Sequence, residues 1–233
     1  MRIGAAALAG GILGVVGTLC FLVAFGTDYW LVAIENCGQF LQPGIPTQDK
    51  DANRTELILH HEGFFWRCMF EVEPSSKASL FSNQPEYKVC IHGYLFPLPV
   101  AIGDVPNHIY DATAVFRGFW TLLIIAALVS ALTGGSLLIC GVPFFSQKLY
   151  KVGGAFLIAA AGLFLVLLLL FVLWMEVVDV KRYILQEKGE NCPNAEVSLF
   201  YGLSFMVAAT GIPLEAVSGL LFLMCGRALE ARR

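Results

Sequence analysis

The run VGGAFLIAAAGLFLVLLLLFVLWM, residues 152–175, holds 24 consecutive residues with no ionisable side chain. As a helix rising about 1.5 Å per residue it is about 36 Å long, more than the ~30 Å hydrocarbon core of a bilayer. Three further stretches of the same character lie at 4–26, 116–141 and 199–226, and between them they contain only Arg117 and Glu215 as charged residues. Hydrophobic residues make up 57% of the 233-residue chain and charged residues 14%, with a mean hydropathy of +0.70. A soluble domain solvates its surface with about 25% charged residues. The chain therefore reads as a polytopic membrane protein whose first partner is membrane lipid. A net charge of −3 argues against a nucleic-acid partner, which would require a basic face to neutralise phosphates.

An N-terminal apolar run is also the mark of a cleaved signal peptide, and Ala24-Phe25-Gly26 resembles a small-residue cleavage site. The apolar run is, however, longer than the usual 7–15-residue core of such peptides. It also contains Gly10-Gly11-Ile12-Leu13-Gly14, a Gly-x-x-x-Gly face suited to close helix packing, so a retained first helix is expected. The same kind of face leaves room for a lateral homo-oligomer. Orientation follows from Lys and Arg. With four spans, residues 1–3, 142–151 and 227–233 share one side and carry six bases against the single acid Glu230. Segment 27–115 has five bases against eleven acids, and segment 176–198 has three against five. Both termini are expected in the cytoplasm, with 27–115 and 176–198 as extracellular loops of a plasma-membrane protein. Trp30, Trp120, Trp174 and Tyr201 fall at the expected outer helix ends, where amphipathic rings favour the interface.

Cys20, Cys140 and Cys225 lie within or at the ends of spans, as small apolar groups. Cys37, Cys68, Cys90 and Cys192 lie in the outer loops. In an oxidising compartment four cysteines make two bridges in one of three connectivities. The favoured one is Cys68–Cys90 with Cys37–Cys192. Asn53-Arg54-Thr55 is the single Asn-x-Ser/Thr of the chain and marks Asn53 as a glycosylation site. Residues 29–36, 57–70 and 87–96 are rich in aromatic and β-branched residues and are separated by turn-formers such as Gln42-Pro43-Gly44 and Pro74-Ser75-Ser76. They predict a small extracellular antiparallel β-sheet on a four-helix transmembrane bundle, a mainly α membrane fold in one domain over 1–233.

The order of one helix, a large outer loop, three helices and a short second loop resembles the claudin and peripheral-myelin-protein superfamily. The residues that carry the resemblance are Trp30, then Gly63-Phe64-Phe65-Trp66-Arg67-Cys68, then Cys90, and Arg117 at the mouth of the second helix. The superfamily signature is a Trp followed by Gly-Leu-Trp and two disulfide-bonded cysteines. Longer strings, among them Thr27-Asp28-Tyr29-Trp30, His60-His61-Glu62 and Arg117-Gly118-Phe119-Trp120, are similar to one branch of it. Resemblance to that branch implies a muscle-associated surface protein. It would restrain myoblast differentiation and fusion, hence myogenesis, through association with an integrin β1 chain. Cys37 and Cys192 are additions to the claudin pattern, and the chain ends Glu230-Ala231-Arg232-Arg233 without the apolar residue that a PDZ groove takes. These departures point away from a tight-junction strand former.

The residues offer little chemistry. His60, His61, His92 and His108 share the outer loop with Glu62, but none of the pairs has the spacing of a His-Glu-x-x-His zinc site. They read as sheet-surface histidines, and no enzyme, metal or cofactor is expected. Trp66 and Gly63 read as structural, with Trp66 packed under the sheet, and Arg117 as a cap at its helix mouth. Glu215 stands mid-span, two residues after Pro213, where a carboxylate costs ~2.5 kcal/mol or more unless neutral or paired. Its expected partners are Ser130, Thr133 and Ser136 of the second helix. Two functions of different class follow: a non-catalytic regulator of adhesion and differentiation, or an auxiliary subunit of an ion channel or other claudin-like junction component.

Overall fold

The computed structural model describes residues 3–37, 56–64, 66–72, 88–92, 107–177, 180 and 196–231. In chain order they form α1 (Ile3–Gly26), β1 (Leu31–Cys37), β2 (Glu56–Glu62), β3 (Trp66–Val72), β4 (Lys88–His92), α2 (Asn107–Phe144), α3 (Gln147–Val177), β5 (Glu196–Tyr201) and α4 (Leu203–Glu230). They group into two compact units. One comprises 1–27, 116–174 and 203–233; the other comprises 28–115 and 175–202.

The first unit is the helical bundle. All four helices are long and apolar enough to cross a membrane. Large side chains such as Leu8, Ile12, Leu122 and Leu169 are exposed on its outside, while glycine, alanine and serine concentrate between helices. Lipid tails solvate leucine as well as a protein core does, so close approach of backbones, rather than apolar burial, holds the helices together. The second helix begins at Asn107, nine residues before the expected start, and the fourth begins at Leu203, four residues after it. The expected ten-residue inner turn shrinks to Phe145 and Ser146. Here the Ser146 N–H donates to the Gly141 carbonyl at 3.3 Å and the Phe145 N–H to the Val142 carbonyl at 3.4 Å, with Phe145 at φ 47°. That is the Schellman pattern closing a helix C-terminus, with phenylalanine in the left-handed position that glycine usually takes.

The aromatic side chains in the bundle turn inward. Trp120 and Trp174 meet edge-to-face at 5.2 Å between ring centroids, and Phe171 lies 5.3 Å from Trp120 and 5.7 Å from Trp174. Only 3% of Trp120 and 1% of Trp174 is exposed. The expectation that these two tryptophans face the membrane interface is therefore corrected. Edge-to-face ring contact and the burial of about 150–250 Å² per ring favour the interior. Deeper in the bundle Phe21 and Phe164 stack at 3.7 Å.

The second unit contains a five-stranded antiparallel sheet in the order β4-β3-β2-β1-β5. The stretch 57–70, expected as one strand, holds two: β2 and β3 pair antiparallel, with Glu62 opposite Arg67. Residues 199–201, expected in the fourth span, belong to β5 and pair with β1, Leu31 standing opposite Tyr201. A short apolar run reads equally as buried strand or helix, and pairing with β1 decides it. Gly202 then redirects the chain. Its N–H donates to the Trp30 carbonyl at 2.9 Å, and a Cβ there would fall on the Tyr29 carbonyl.

Candidate functional site

Two places concentrate the residues singled out in the sequence. The first is the sheet. Cys68 in β3 stands opposite Cys90 in β4 and is disulfide-bonded to it. Cys68 is buried and Cys90 exposed. Trp30, 1% exposed, meets Phe64 edge-on with 4.6 Å between centroids, and its N–H donates to the Glu62 carbonyl at 3.1 Å. Among the described side chains of the Gly63–Cys68 element, Phe64 meets Trp30, and Gly63 is buried beside it. Trp66 opens β3 opposite His92.

His60, His61 and Glu62 are buried, which corrects the reading of the two histidines as sheet-surface residues. They lie on β2, which has β1 on one side and β3 on the other, so neither of its edges is free. The His61 ring lies 4.2 Å from that of Tyr29. Among the described residues no group of three His, Cys, Asp or Glu is placed to hold a metal ion. Cys37 ends β1, and Arg117 lies on α2. Asn53 and Cys192 lie outside the described residues, as does the tripeptide that marks Asn53.

The second place is the seam between α1 and α4. Glu215 has no exposed surface. The expected partners on α2 are corrected: Ser130 donates to the Phe156 carbonyl at 2.8 Å, Ser136 to the Leu132 carbonyl at 2.8 Å, and Thr133 is exposed. Glu215 instead meets α1, where the Thr18 hydroxyl donates to Oε1 at 3.2 Å. Oε2 has no hydrogen-bond partner among the described residues. Gly17 makes room for it: a Cβ there would fall on Oε2 and stand 3.1 Å from the Glu215 nitrogen. One turn on, the Ser218 hydroxyl donates to the Gly10 carbonyl at 2.7 Å, and a Cβ at Gly14 would lie 2.7 Å from that hydroxyl. Towards the other end of the seam, the Thr27 and Ser204 hydroxyls share a hydrogen bond of 2.6 Å.

The Gly-x-x-x-Gly face expected to pack closely is therefore occupied within the chain, by α4. Beside this face, α4 packs closely on α3, where Gly154 and Gly219 are in mutual contact. The surface pair Lys151–Glu230 joins the first turns of α3 to the last turn of α4. Both partners are substantially exposed, so it adds little stability.

Four apolar helices, a sheet inserted between the first two and completed by a strand before the last, and a Trp-(Gly-x-x-Trp-x-Cys)-Cys element pinned by one disulfide define a class. A sequence profile of the family described as PMP-22/EMP/MP20/Claudin tight junction matches residues 15–224, and the chain belongs to this family. Within it, the chain is similar to transmembrane protein 182. It is 38% identical to that of Mus musculus over 236 residues, covering 99% of both chains. It is 37% identical to that of Gallus gallus, covering 98% of both, and 38% identical to that of Homo sapiens, covering 97% of both.

Proposed function

We propose that this chain is a non-catalytic plasma-membrane protein that restrains myoblast differentiation and fusion through lateral association with an integrin β1 chain. The observation that supports an outward-facing contact is the five-stranded sheet with its Cys68–Cys90 pin. A stable interface needs about 800 Å² from each partner. The connection of α2 to α3 offers only Phe145 and Ser146, whereas the outer segments hold five strands in fixed register. A surface already ordered loses less entropy on binding. The buried, hydrogen-bonded helix seams support a packed scaffold rather than a conduction path. Integrin β1 is expected among the proteins recovered with the epitope-tagged chain from differentiating muscle-cell membranes. Recovery of a channel subunit in its place would replace this reading with that of an auxiliary channel subunit.

The proposal includes orientation and processing. The excess of bases on the inner side supports cytoplasmic termini. Epitopes at either end should stain only after permeabilisation, and glycosidase should shift the wild type but not Asn53→Gln. A terminal epitope detected on intact cells would refute the orientation. The second bridge, Cys37–Cys192, belongs to the same proposal. Asn36 stands opposite Glu196 in the β1–β5 register, and Cys192 precedes Glu196 by four positions, which supports the pairing.

A further inference from the structure

Glu215 is the one Asp, Glu, Lys, Arg or His in residues 3–26, 118–144, 152–175 and 203–226. No counter-ion inside the bundle can therefore answer an ionised carboxylate there. A carboxylate has two oxygens with about four acceptor positions. The structure supplies one donor, the Thr18 hydroxyl at 3.2 Å from Oε1, and leaves Oε2 fully enclosed and without a partner among the described residues. Among the described residues no charged group packs on the carboxyl. It is met from α1 by Gly17 and Thr18, and the next turns of the seam carry Gly14 and Ser218, with Leu157 of α3 beside Gly14. The helices cannot part slightly to admit water at this level alone. Ser218 to Gly10 on one side and Thr27 to Ser204 on the other hold the backbones together along the seam.

We infer that Glu215 is a proton-binding site inside the bilayer, and that the bound proton locks α1 onto α4. The proton resides on Oε2, while Oε1 accepts from Thr18. Removing it leaves an uncompensated charge in a seam closed by glycines, and separating the two helices is the way to hydrate that charge. The folded protein then binds one proton more at this site than the unfolded chain, so stability falls as pH rises. Glu215→Gln keeps the size and the acceptor for Thr18 but cannot lose a proton, so it should be indifferent to pH at this position.

The test uses the full-length chain in lipid nanodiscs, wild type beside Glu215→Gln. Infrared difference spectra between the two should show a protonated-carboxyl C=O band near neutral pH that disappears on alkalinisation. The rate of unfolding in denaturing detergent should rise about tenfold or more for the wild type relative to Glu215→Gln between about pH 6 and pH 10. Carboxylate bands already present at neutral pH, or unfolding rates that stay parallel across the range, would overturn the lock. Glu215→Gln still folds if the inference holds, and its failure to reach the bilayer would also count against it.

Discussion

Cys68→Ser and Cys90→Ser should each remove most of the chain from the cell surface, with the double substitution little worse than either single one. The bridge joins positions 22 apart and ties β3 to β4, the outer strand of the sheet on that side. Closing a loop of this size stabilises a fold by about 3 kcal/mol on the chain-entropy estimate, roughly a hundredfold in the folded-to-unfolded ratio. Whole domains are stable by only about 5–15 kcal/mol. Cys68 is also 2% exposed, so its serine hydroxyl would be buried as well as unbridged. Surface biotinylation and glycan maturation measure the effect. Single mutants delivered at wild-type levels would show that the sheet stands without its pin.

Gly154→Val should be as damaging in the bundle. A Cβ at Gly154 would lie 2.7 Å from the Gly219 carbonyl oxygen and 3.1 Å from the Leu223 nitrogen, and one at Gly219 would lie 2.7 Å from the Gly154 carbonyl. The obstacles are backbone atoms, which no rotamer change removes, so α3 and α4 must move apart. Overpacking of this kind costs about 1–3 kcal/mol or more. Gly162→Val on the same helix is the control, since a Cβ there meets nothing within 4 Å. Thermal unfolding in detergent should drop clearly for the first and stay near wild type for the second. Equal behaviour of the two would contradict the close α3–α4 contact.

The disulfide and the α3–α4 contact differ in how far the amino-acid sequence reveals them. Spans declare themselves through long apolar runs, because lipid imposes one requirement on every residue of the run. The Gly10–Gly14 face was legible for the same local reason: small residues four apart invite a close neighbour. Which neighbour was not legible, since α1 and α4 are distant in the chain, and the acid was assigned to α2 while its donor is Thr18. Likewise the sequence places Trp120 and Trp174 near the ends of apolar runs, but that they point inward depends on helix rotation, which the runs do not reveal. Strand β5 was hidden because Leu199-Phe200-Tyr201 continues straight into the apolar run of α4, with only Gly202 to mark the turn. The contact of Phe64 with Trp30 is not legible in the family pattern, which marks Trp66 two residues later.

In the proposed function, the segment between α1 and α2 carries the regulatory contact. The most direct measurement exchanges residues 31–106, which include β1 to β4, for the corresponding loop of a claudin, leaving α1 to α4 intact. Surface delivery is confirmed first; integrin β1 recovery and fusion of cultured myoblasts are then scored together. The chimera should reach the surface, no longer recover the integrin chain and no longer restrain fusion. A chimera that still does both would place the contact outside residues 31–106 and contradict the proposal.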